Sequence, residues 1–233
     1  MLQPNTLIIF DIDGTLTDTK AVDDYCFIEA FKSVFNIDLE GIDWASLTNV
    51  TDRGITEEVI KRKTDKALTS EAYQLLEKEL IKRLERELAI NPNKFNAVNG
   101  AVDFYNLVKK DKNFAIGIGT GACEKSALIK LGANDIDVKN IPFSNSNHSV
   151  TREGITERTI KEASKQLNAN FKNIVYFGDG LWDYKTCNNL NIHFIGIDIL
   201  NDGKLKAAGA KHVFPNFKNT EAILNCINEL TVN

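Results

Sequence analysis

Apolar residues follow two rhythms along this chain. Short unbroken runs, rich in β-branched and aromatic side chains, occupy 7–10, 114–119, 173–177 and 193–197, with briefer ones at 141–143 and 212–214. Continuous apolar runs of that length mark strands buried on both faces. Between them, at 98–110, 124–131, 155–167, 181–190, 202–209 and 219–230, apolar positions recur every three or four residues, which predicts helices. Alternating β and α units of this kind predict an α/β fold with a doubly wound parallel sheet.

Residues 18–93 break the alternation. A helix is expected over 18–35, where Ala21, Val22, Tyr25, Ile28, Phe31 and Phe35 give the spacing. An irregular stretch carrying Trp44 follows, and Thr56 is expected to open a second helix, with Glu57 and Glu58 in its first turn favourable for the helix dipole. A third helix is expected over 70–89, with Ala72, Leu75, Leu76, Leu80, Leu84 and Leu88 on one side and a solvated charged face on the other. Asn91-Pro92-Asn93 ends it. No strand is expected in this segment. The reading is a core formed by 1–17 and 94–233, with residues 18–93 inserted after the first strand as a small α-helical cap over the strand ends.

The first strand runs directly into Asp11-Ile12-Asp13-Gly14-Thr15. Its carboxyl end is where open α/β sheets place their chemistry. Two acids this close repel, and a divalent cation relieves them; carboxylate and carbonyl oxygens suit hard Mg²⁺. The strand at 114–119 ends in Thr120-Gly121-Ala122, a hydroxyl and free backbone N–H groups leading into a helix, which makes an anion site. The strand at 173–177 ends in Gly178-Asp179-Gly180, with Asp183 one helical turn further on.

The Asp11-Ile12-Asp13-Gly14-Thr15 stretch resembles motif I of the haloacid dehalogenase (HAD) superfamily, whose members are mostly Mg²⁺-dependent phosphatases. Thr120 resembles its motif II, and Gly178-Asp179-Gly180-Leu181-Trp182-Asp183 its GDxxxD motif IV. Motif III departs from the pattern: Arg152 stands where the family usually has Lys, and Lys161, deeper in the helix and expected to face solvent, is the other candidate. The resemblance implies a HAD-like Rossmannoid core with a helical cap. It implies Asp11 as nucleophile, Asp13 as proton donor and acceptor, and Thr120 with Gly121 binding the phosphoryl group. Arg152 would balance charge, and Asp11, Asp13 (through its carbonyl), Asp179 and Asp183 would serve a Mg²⁺ site. Trp182 is read as packing against the sheet. Arg53, within Thr51-Asp52-Arg53-Gly54-Ile55, is a candidate to hold the part of the substrate that does not react. The overall layout is similar to phosphoglycolate-type phosphatases and the β-phosphoglucomutase group. The expected activity is hydrolysis of a small phosphorylated metabolite through an aspartyl-phosphate. A phosphomutase is the alternative, and a non-catalytic nucleotide- or phosphate-binding module the third reading. A dinucleotide-binding GxGxxG turn after the first strand is absent.

Composition narrows the classes further. A 43% hydrophobic fraction in 233 residues supplies a core, and a net charge of −4 disfavours a broad nucleic-acid surface. No apolar run reaches the length of a membrane span, and residues 1–5 show no leader pattern. Cys26, Cys123, Cys187 and Cys226 are widely spaced and form no CxxC, so free thiols are expected. A cytoplasmic monomer or homodimer is the expectation.

Overall fold

The computed structural model describes residues 4–232; residues 1–3 and 233, and with them the outer limits of the core and the leader reading, lie outside it. Among the described residues six strands form one parallel sheet: β1 Thr6–Phe10, β2 Phe114–Gly119, β3 Phe143–Ser144, β4 Asn173–Gly178, β5 His193–Ile197 and β6 Val213–Phe214. Their order is β3-β2-β1-β4-β5-β6. The chain works outward from β1 to β3, then returns to lay β4 against the other side of β1. That reversal creates a switch point between β1 and β4, where a crevice opens at the strands' carboxyl ends.

β1 is buried throughout, and its side chains alternate between two apolar clusters. Ile8 and Phe10 pack with helices α4 (Ala101–Lys110), α5 (Glu124–Gly132) and α9 (Thr220–Thr231). Leu7 and Ile9 face helices α6 (Arg152–Leu167), α7 (Leu181–Leu190) and the short α8 (Lys204–Ala207). Helices on both faces explain why the strands read as continuous rather than alternating apolar runs. Phe10 stacks on Phe177 at 5.1 Å between ring centroids and meets Phe104 edge-on, so the aromatic centre of the core lies directly beneath the switch point.

The inserted segment, called the cap below, carries α1 (Lys20–Phe35), a 3₁₀ turn at Trp44–Ser46, α2 (Asp52–Thr64) and α3 (Ser70–Ile90), packed around a second apolar cluster that also takes in Phe95 and Cys123. No strand occurs in it, as expected. Its details differ from the sequence reading in two places. The second helix begins at Asp52 rather than Thr56: Thr51 is the N-cap, accepting from Gly54 N, and Thr56 lies inside the helix with its hydroxyl donating to the Asp52 carbonyl. In α3 the buried stripe is Tyr73, Leu76, Leu80 and Leu84, whereas Leu75 is 58% exposed.

The cap sits down on the core through backbone and side-chain hydrogen bonds. Thr51 Oγ1 donates to the Val150 carbonyl at 2.8 Å, Asp52 N to the Gly121 carbonyl at 2.8 Å, and Cys123 N to Asp52 Oδ2 at 2.7 Å. All four cysteines are buried free thiols. Among the described residues no helix is long and apolar enough to cross a membrane.

Candidate active site

Phe10 pairs with Phe177 in register, and Asp11 N donates to the Phe177 carbonyl at 2.9 Å. Asp11 and Asp179, one and two residues beyond that pair, therefore emerge side by side at the switch point. Gly14 makes this approach possible. Its φ is +79°, and a Cβ placed on it would lie 2.4 Å from Asp179 Oδ2, so a side chain here would displace the carboxylate. Asp183 comes from the first turn of α7, fully buried, where Oδ2 accepts from Gly180 N at 3.0 Å.

Oxygens of Asp11, Asp179 and Asp183 lie within 4.8 Å of one another. Burial raises all three carboxyls from 3.8: Asp11 to about 6, Asp179 to about 6 and Asp183 to about 7, with mutual repulsion adding to each. Three crowded hard oxygen donors that resist joint ionisation fit a small divalent cation. The Asp13 carboxylate is not part of this group of three and is engaged elsewhere.

Arg152, the first residue of α6, reaches into this acidic group. Its Nη1 lies 3.2 Å from both Asp11 Oδ1 and Asp183 Oδ1, and its Nε donates to the cap carbonyl of Val50 at 2.8 Å. Gly121 leaves it room, since a Cβ there would come within 2.6 Å of the guanidinium. The neighbouring acids hold the guanidinium charged against the cost of burial. Lys161 is exposed on the same helix. Thr120 is buried, lines the chamber and accepts from Ala122 N at 3.2 Å. The helix after it starts only at Glu124, so Thr120 shapes the loop rather than capping α5.

Asp13 is held on both oxygens. Thr19 Oγ1 donates to Oδ1 at 2.6 Å and Lys130 Nζ to Oδ2 at 2.6 Å. Thr19 is the N-cap residue of α1 yet makes no capping bond with its side chain; its hydroxyl serves Asp13 instead. Lys130 has no exposure at all and bridges to Asp23 Oδ1 at 2.8 Å. Burial opposes its charge, but Asp13 and Asp23 outweigh burial and hold the amine protonated.

Four participants escaped the sequence reading: Lys20, Asp23, Asp52 and Lys130. Lys20 Nζ donates to Asp179 Oδ2 at 2.7 Å and sits 4.9 Å from the Trp182 ring centre. Lys130 carried a readable sign, being a charged residue beside Ala127 and Leu131 on the apolar side of α5. Two other expectations fall differently. Trp182 lines the chamber beside Asp179 rather than serving only as sheet packing. Arg53 pairs with Glu57 at 2.9 Å and lines a separate cavity with Tyr73, so it is not among the chamber's walls.

Asp52 gives a pH prediction. Burial, with Asp23 adding, pushes its carboxyl from 3.8 up to about 8. The folded state keeps the proton where the unfolded chain has lost it, so this group's contribution falls as pH rises from about 4 towards 8. Asp52→Asn keeps an oxygen to accept from Cys123 N and removes the titration. Its melting temperature relative to wild type is expected to rise between pH 5 and pH 8; a difference that stays flat across that range in thermal melts would reject the assignment.

The sequence matches the family described as haloacid dehalogenase-like hydrolase over residues 8–197. Among solved structures, a hydrolase from Pseudomonas syringae is similar at 23% identity and TM-score 0.69, covering 95% of this chain and 99% of that one. A HAD hydrolase of family IA, variant 3, from Entamoeba histolytica aligns over 100% of both chains at 17% identity and TM-score 0.70. A protein described as a putative β-phosphoglucomutase from Bacteroides vulgatus aligns over 98% of this chain and 91% of that one, at 16% identity and TM-score 0.67. No curated protein matches the sequence.

Proposed function

Because the chain belongs to the haloacid dehalogenase-like hydrolase family, we propose that its site is that of a Mg²⁺-dependent phosphatase acting on a small phosphorylated metabolite. The observation that carries this reading is Asp11 itself: a buried carboxylate at the switch point, 3.2 Å from the Arg152 guanidinium and grouped with two further acids suited to a cation. Asp11, Asp179 and the Asp13 carbonyl would hold Mg²⁺, with Asp183 close by. The ion would neutralise charge and align the phosphoryl group.

The chain's own groups account for the rest. Asp11 attacks phosphorus and the ester oxygen departs, leaving an aspartyl-phosphate; water then attacks that phosphorus and frees Asp11 and inorganic phosphate. Asp13 protonates the departing oxygen and later takes a proton from the water. Arg152 supplies a cation, and Thr120 with the loop N–H groups supplies donors for charge that builds on the phosphoryl oxygens.

Phosphate release from p-nitrophenyl phosphate is expected to need added Mg²⁺, to stop with a chelator and to return on Mg²⁺ replacement. In ¹⁸O-water the released phosphate should carry one labelled oxygen. With a hexose 1-phosphate as the ester, isomerised hexose phosphate without labelled inorganic phosphate would indicate a mutase. Hydrolysis insensitive to chelators would remove the metal from the scheme.

A further inference from the structure

The chamber around Asp11 holds only about 70 Å³, room for the phosphoryl group and little else. A second cavity of about 630 Å³ adjoins it and shares Lys20, Asp24, Trp44, Asp179 and Trp182 with it. That volume is typical of pockets that take whole small molecules. The second cavity lies between the cap's 3₁₀ turn, the start of α7 and the loop after β5. Resting on the phosphatase reading, we propose that this cavity receives the leaving group, and that the substrate class is a phosphate monoester carrying a flat, uncharged ring and no second anionic group.

Shape and chemistry both support the ring. Trp44 and Trp182 line the cavity together with Ile42, Leu181 and Leu200. Flat aromatic walls reward flat ligands. The two indoles differ in one respect. Trp44 faces the Asp24 carboxylate, which it helps hold ionised, whereas Trp182 Nε1 is buried and finds no acceptor among the described residues. A buried donor without a partner costs free energy, so the Trp182 ring is held in the wall by its packing and not by a hydrogen bond.

Charge supports the second half. Asp18, Asp24, Asp43, Asp198 and Asp202 line the cavity alongside Asp179, against Lys20 and Lys204. Both lysines are already taken, Lys20 by Asp179 and Lys204 by Asp202, each at 2.7 Å. A carboxylate or second phosphate on the leaving group would face acids with no cation left to receive it. Arg53, the cation expected from sequence to hold such a group, lines a different cavity.

The test compares kcat/KM of the full-length chain with Mg²⁺ across five esters. Thymidine 5′-monophosphate and p-nitrophenyl phosphate should exceed acyclic glycerol 3-phosphate at least tenfold, with 2-phosphoglycolate and fructose 1,6-bisphosphate lowest. Trp182→Leu should shrink the gap between ring and acyclic esters to under threefold; should that variant not fold, Trp44→Leu on the other wall reads the same gap. Asp18→Lys, at an exposed position, should raise 2-phosphoglycolate severalfold relative to thymidine 5′-monophosphate. An anionic ester as best substrate, or an equal loss on all esters in Trp182→Leu, would overturn the proposal. Calorimetric titration with thymidine 5′-monophosphate separates the two readings. Wild type that binds it but cleaves no ester, with binding lost in Trp182→Leu, keeps the ring site and sinks the phosphatase reading. Neither binding nor cleavage sinks both.

Discussion

Asp11→Asn is expected to lower turnover on the order of 10⁴-fold or more, the scale seen when a nucleophile that works as one unit with its neighbours is removed. The substitution is nearly isosteric and removes the charge that must attack phosphorus. Stability should move the other way. Burial has raised the Asp11 carboxyl from 3.8 to about 6, so above pH 6 the folded protein carries a buried charge that the unfolded chain holds in water at less cost. A raised carboxyl subtracts stability progressively between about pH 4 and 6, and Asn is free of that penalty. At pH 7.5 the variant should therefore melt at or above the wild-type temperature while steady-state assays detect almost no product. Retained turnover would remove Asp11 from the nucleophile's role.

Lys130→Met should produce the largest loss of stability, about 3–5 kcal/mol, the usual cost of breaking a buried ion pair by removing one partner. The apolar chain fits the space, but Asp13 and Asp23 would be left near each other with no cation between them. Only Thr19 would remain on Asp13, and Ser126, whose hydroxyl donates to Asp23 Oδ1 at 3.2 Å, on Asp23. Adding Asp23→Asn to Lys130→Met should restore part of the loss, because the penalty lies in the stranded charge and not in the missing contact. Denaturant melts of the single and double variants measure both effects. A double variant no more stable than Lys130→Met would show that the cost is one of packing.

The strands and the acids at their ends were legible because each depends on local sequence. The helix Leu181–Leu190 and the strand His193–Ile197 begin and end where the pattern puts them. Asp11, Asp179 and Asp183 come together because two adjacent parallel strands stop at one level and α7 starts immediately after. The interactions that were not legible are those made by docking the cap. Thr51 outcompetes Thr56 as a helix start partly because its hydroxyl also donates to Val150, almost a hundred residues away. Lys130 stands among apolar neighbours on its helix, and what satisfies it is Asp13 together with Asp23 from across the cap–core boundary. Periodicity ranks such a position as an error in a stripe, not as one end of an ion pair. Lys20 sits at a helix start where a cation is dipole-unfavourable, and its partner Asp179 lies 159 positions further along.

Arg152 has two attachments of different kinds: Nη1 on the nucleophile and Nε on a carbonyl of the lid, Val50. One rigid planar group thus gauges both at once, and lifting the lid takes away an anchor that fixes the plane. In the seated arrangement the roof's carbonyl helps fix the orientation of the nucleophile's cationic neighbour. The seating of the roof and the poise of the nucleophile are thereby coupled through one side chain.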